Sequence, residues 1–156
     1  MYSISKHLLV AILFFASLPL SASAQERTPQ QQAEVEKLQI AIDDFFKGLS
    51  SPTGAEQAFN TLVGKGPLKD KKDLAPLIAK AATLEEKYGR YTGHDAASIK
   101  TLGNDLVILR YLYKGERFPT VWHFYYYRPA MGVALTPKDW NLIEIRFDTN
   151  LDGLDK

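Results

Sequence analysis

Val121-Trp-His-Phe-Tyr-Tyr-Tyr-Arg128 is the stretch that decides the fold. Six of its eight residues are aromatic or β-branched, a composition that suits a pleated, half-buried surface. Two more strand-like runs flank it, Leu106–Tyr113 before and Trp140–Phe147 after. The three read as the middle of an antiparallel sheet, with the helical first half of the chain as its cover. Tyr91–Leu102 is a weaker strand candidate, because Gly93 and its alanines pack little. Gly103-Asn104 reads as a tight turn and Lys114-Gly115-Glu116 as the turn into the aromatic strand. Residues 128–139, with Pro129, Gly132 and Pro137, read as a long hairpin loop.

Upstream the apolar period is helical. Thr28-Pro29-Gln30-Gln31 carries an N-cap, a proline at the first helical position and a glutamine placed to reach back. Val35, Leu38, Ile42, Phe45 and Leu49 then form one stripe. Thr53-Gly-Ala-Glu56 repeats the capping pattern for a shorter helix with Ala58, Phe59, Leu62 and Val63 apolar. The lysine-rich connection 64–72 lacks P-loop spacing and reads as solvated. Asp73 is the expected cap of a third helix, buried through Leu74, Leu77, Ile78, Ala81, Leu84 and Tyr88 and stopped by Gly89.

Residues 1–24 read as a signal peptide: Lys6, the apolar run Leu8–Leu20 and the small residues Ala22-Ser23-Ala24. That run has thirteen residues, against the roughly 20 a spanning helix needs. The expected mature chain, residues 25–156, is a single domain with eighteen basic and eighteen acidic residues. Such a balance gives no electrostatic reason to expect nucleic acid or, once the signal is cleaved, a membrane surface as partner. Cysteine is absent, which excludes disulfides and thiol chemistry. The expected location is the periplasm or the medium of a bacterium.

Helices followed by a curved four-stranded meander is an α+β arrangement. Ala58-Phe59, Tyr88-Gly89, Tyr91-Thr92-Gly93, Arg110-Tyr111-Leu112, Trp122-His-Phe-Tyr125 and Trp140 with Phe147-Asp148 carry a resemblance. Over residues 30–150 the chain resembles an exported bacterial family of the nuclear transport factor 2-like (cystatin-like) superfamily. The resemblance implies three helices on a curved antiparallel sheet of about four strands, forming a cone open at one end. It also implies a homodimer through the sheet, as that superfamily often forms. The superfamily hosts isomerases, dehydratases and plain binding modules, so fold alone does not choose a function.

Strand parity nominates the chemistry. Asn141, Ile143, Ile145 and Phe147 are expected in the core, with Trp140, Leu142, Glu144 and Arg146 on the other face. His123, with Glu144 or Asp95 across from it, is the candidate acid–base pair, although a structural histidine is the plainer reading. Arg110 and Arg146, with Trp122, Tyr125 and Trp140, are the candidate ligand-binding set for a small apolar or anionic ligand inside the cone. Asp148, Asn150 and Asp152 match the first half of a calcium loop without its closing glutamate, so a terminal turn is the plainer reading. No cofactor is expected. The leading function is a non-enzymatic exported module that binds a small ligand or another protein. The alternative is an isomerase or lyase working through a cavity histidine or carboxylate.

Overall fold

Thr28 caps the first helix as its sequence predicts. Its hydroxyl accepts from the Gln31 N–H, and the Gln31 side chain accepts from the Thr28 N–H. The structure, a computed structural model, describes residues 28–51, 54–64, 66–129 and 140–152. The expected signal peptide, Thr53 and most of the loop 128–139 lie outside them.

Helix α1 (Pro29–Leu49) buries Val35, Ile42, Phe45 and Phe46, and α2 (Gly54–Val63) buries Ala55, Ala58, Phe59 and Val63. The single helix expected after Asp73 is two, α3 (Leu74–Ala82) and α4 (Leu84–Tyr88). The break falls at Thr83, whose N–H and hydroxyl both reach back to the Lys80 carbonyl. A threonine that competes for the backbone in this way favours a helix end. Asp73 makes no capping hydrogen bond through its side chain. Gly89 stops α4 with φ 88°, a left-handed conformation that glycine adopts without strain.

Four strands follow: β1 (Tyr91–Leu102), β2 (Leu106–Gly115), β3 (Pro119–Tyr127) and β4 (Asn141–Asp148). They form one open antiparallel sheet in the order β1-β2-β3-β4. The fold is α+β, helices first and a meander sheet after. Lys114 and Gly115 still belong to β2, so the turn expected at residues 114–116 begins two residues later. The close approach explains the residue type: a methyl on Gly115 would collide with the Tyr88 carbonyl.

The core lies between the helices and one face of the sheet. Val107, Leu109, Tyr111 and Tyr113 of β2 and Trp122, Phe124 and Tyr126 of β3 all point into it. Phe45 and Phe59 meet edge-on at 5.0 Å, Phe46 and Trp122 at 5.5 Å, and Trp122 stacks on Phe147 at 4.2 Å. Those rings fill the space between the helices and that face of the sheet.

Parity fails in β4. Tyr125 pairs with Glu144, yet the next residue, Tyr126, pairs with Leu142. Ile143 is therefore an extra residue, a β-bulge that flips everything before it to the opposite face. Leu142 joins Ile145 and Phe147 in the core, while Asn141 and Ile143, expected there, are only half-buried.

Candidate functional site: the outer face of the sheet

Register places the charged candidates on the face turned away from the helical core. One cross-strand row reads Ser98–Arg110–His123–Arg146. Above it runs Asp95–Leu112–Val121–Asp148, and below it Lys100–Ile108–Tyr125–Glu144. Past the β4 bulge a last row holds Leu102–Leu106–Tyr127–Asn141. Apart from Arg110 and His123, apolar residues hold the middle two strands, and the other charges stand at the edges. Val121 is 1% exposed yet belongs to no part of the helical core cluster. Leu102 and Tyr127, by contrast, are exposed at 41% and 37%.

His123 is nearly buried, and its Nδ1 has no hydrogen-bond partner. Burial holds its imidazole below the ordinary value; the guanidiniums of Arg146 and Arg110 push the same way, against the pull of Asp148 and Glu144. Its direct neighbours across the strands are these two arginines, not Glu144 or Asp95. Glu144 lies one row away beside Tyr125, and Asp95 pairs with the Lys114 ammonium. The expected acid–base pair is therefore not assembled. Arg146 instead donates to the Tyr125 hydroxyl and lies over that ring at 5.3 Å. On its open side Glu144 borders a cleft of about 270 Å³ with Leu68, Lys71 and Leu74.

The remaining candidates separate from this face. Trp122 is fully buried, its indole N–H bonded to Thr120 Oγ1, so it serves the core rather than an accessible site. Trp140 donates to Glu34 Oε2 at 3.3 Å and carries the Arg128 guanidinium over its ring at 4.6 Å. Arg128 in turn is ion-paired with Glu34 at 2.7 Å. Trp140 therefore belongs to a clasp between α1 and the sheet. In the tail, Asp148 and Asn150 each accept the backbone N–H two residues on. These are Asx turns, and among the described residues no group of three acidic, histidine or cysteine side chains could hold a metal.

One polar chain escaped sequence reasoning. His94 Nε2 lies 2.8 Å from Asp43 Oδ1 on α1, and its Nδ1 bonds the Tyr91 hydroxyl. With the Asp43 carboxylate accepting from Nε2, the other ring nitrogen is left to accept the phenol proton. Burial first, then Asp43, raises the Tyr91 hydroxyl above its ordinary value. No spacing signal could have found this chain, because 51 residues separate its acid from its imidazole.

Fold and face together define an α+β protein with an open four-stranded sheet whose second face sets Arg110 and His123 among apolar residues in the middle and carries charges at the edges. Set against family models, curated proteins and solved structures, the chain matches none of them.

Proposed function

We propose that this is an exported, non-enzymatic interaction module of nuclear transport factor 2-like architecture. It is delivered to the periplasm or the medium of a bacterium and works through the outer face of its sheet. The observation that carries the reading is the contrast between the two faces. The concave side, where a small ligand would sit in a cone, is occupied by Phe45, Phe46, Phe59, Trp122 and Phe124. The outer side sets Arg110 and His123 among apolar residues at its centre and has the exposed Leu102 and Tyr127 at one end. An open sheet face of that kind suits a protein partner better than a small molecule, which prefers a concave site.

The occupant we assign to it is a second copy of the chain, since a self-complementary patch closes a two-fold pair without leaving either face open. Sedimentation velocity of the mature chain tests this directly. The expected result is a dimer at micromolar concentration that Leu112→Asp converts to a folded monomer. A wild-type chain that stays monomeric removes the reading.

An enzymatic reading has one observation in its favour, the Asp43–His94–Tyr91 chain, which resembles an acid–base relay. Turnover of any substrate found should then be lost in Tyr91→Phe; turnover that survives this change would exclude it.

A further inference from the structure

The helical layer carries a cleft of its own, formed without the sheet. We infer that the groove between α1 and α2 is a binding site for a small primary ammonium with an apolar body. Asp44, Gln57 and Thr61 hold its charged end, over a floor of Phe45, Ala58 and Leu62.

The groove follows from how the two helices meet. Gly48 of α1 lies so close to Ala58 of α2 that a methyl on Gly48 would stand 3.3 Å from the Ala58 Cβ. Small residues at that contact bring the two backbones together. Phe45 and Ala41, one and two turns before Gly48, and Leu62, one turn after Ala58, line the space beside it, about 310 Å³ in volume. That size is at the lower end for sites that hold small molecules. The floor is rigid, because the Phe45 ring meets Phe59 at 5.0 Å and Trp122 at 5.5 Å and is 3% exposed. A ligand therefore finds its apolar surface already arranged and need not open the core.

The rim selects the charge. Asp44 is the one charged residue among the described ones that line the groove. An adjoining cleft shares Gln57 and Thr61 and adds Glu56 and Asn60, so it too brings a carboxylate and no cation. Lys47 pairs with Asp44 at 3.6 Å, with both side chains 69% exposed. Such a pair is weak and gives way to a ligand that also buries apolar surface. Gln57 and Thr61 stand four residues apart on α2 and are neighbours on its surface. Carboxylate, amide carbonyl and hydroxyl together offer an acceptor for each of the three donors of an ammonium. An alcohol of the same shape has one donor to give, and a carboxylate ligand would meet Asp44 as a like charge.

Phenethylammonium, titrated into residues 25–156 and followed by backbone-amide NMR shifts, tests the assignment. Phenethyl alcohol and phenylacetate are the neutral and anionic controls of similar size. The ammonium should give saturable shifts centred on Asp44, Gln57 and Thr61 and bind about threefold or more tighter than the alcohol. Phenylacetate should leave those residues unmoved. Asp44→Asn should bring the ammonium down to the affinity of the alcohol and leave the alcohol unchanged. Lys47→Gln removes the competing cation and should tighten the ammonium alone. Ala41→Phe fills the groove from an exposed helix position and should abolish both. Shifts that never saturate, an alcohol as tight as the ammonium, indifference to Asp44→Asn, or binding that survives Ala41→Phe would each overturn the inference. A wild type that stays monomeric leaves it standing, since every described residue that lines the groove belongs to α1 or α2.

Discussion

His94 of β1 reaches Asp43 of α1 at 2.8 Å, tying that helix to an edge strand of the sheet. The His94 ring also packs on Phe46 at 4.8 Å, so one side chain serves both the polar tie and the aromatic cluster. Removing one partner leaves the other part-buried and less well bonded. Asp43→Ala should therefore lower unfolding free energy by about 1–2 kcal/mol, with the urea slope unchanged. A double-mutant cycle with His94→Ala should show a coupling of at least about 0.5 kcal/mol. Additive single effects would mean the two residues do not act together.

Phe46 touches the rings of Tyr111, Tyr113, Trp122 and Phe124 and is fully buried. Phe46→Ala should cost about 3–5 kcal/mol, in the range of large-to-small core changes. The same change at Ile40, which is 59% exposed, should cost under about 0.5 kcal/mol. Chemical denaturation of the two variants side by side makes the comparison.

The pH dependence follows from His123. Its native pKa is held below the ordinary value, so between the two values the unfolded chain binds more protons than the folded one. The stability this group contributes is thus complete above about pH 6.5 and falls as pH drops toward the native value. Wild type should lose more stability than His123→Gln between about pH 7.5 and about pH 5.5. Parallel losses in the two proteins would remove His123 as the cause.

Gly115 has the Tyr88 carbonyl against it where a side chain would begin. Gly115→Ala must move α4 or the strand end and should destabilise by more than about 1 kcal/mol. Gly54, with φ 75° but open space around it, should lose stability on the same substitution through backbone conformation alone. Thermal midpoints of both variants against wild type would separate collision from conformational cost.

Much of this architecture can be read from residue order. The period of two in Val107–Tyr113 and Trp122–Tyr126 sorts β2 and β3 into two faces without saying which turns inward, and the capping box at Thr28 fixes the start of α1. What escapes is what depends on partners distant in sequence. Phe45 and Phe46 are adjacent, so a helical stripe admits one of them; Phe45 packs on Phe59 of α2 and Phe46 on Tyr111 and Tyr113 of β2, which buries both. The Ile143 bulge carries no glycine or proline to announce it, and it moved Leu142 inward and Asn141 outward against simple parity. The candidate site was half legible. Arg110, His123, Tyr125, Glu144 and Arg146 do share one face, but His123 stands between cations rather than beside a carboxylate. Strand register, which no single strand encodes, decides that.

The central claim is that the outer sheet face is covered by a second copy. Hydroxyl-radical footprinting of residues 25–156 across a range of protein concentrations tests it residue by residue. Tyr127 and Phe118 start at similar exposures of 37% and 43%, but Phe118 lies beside Tyr88, away from the outer face. The account predicts that oxidation of Tyr125 and Tyr127 falls as concentration rises while that of Phe118 holds constant. Oxidation of Tyr127 that stays level with Phe118 at every concentration would contradict it.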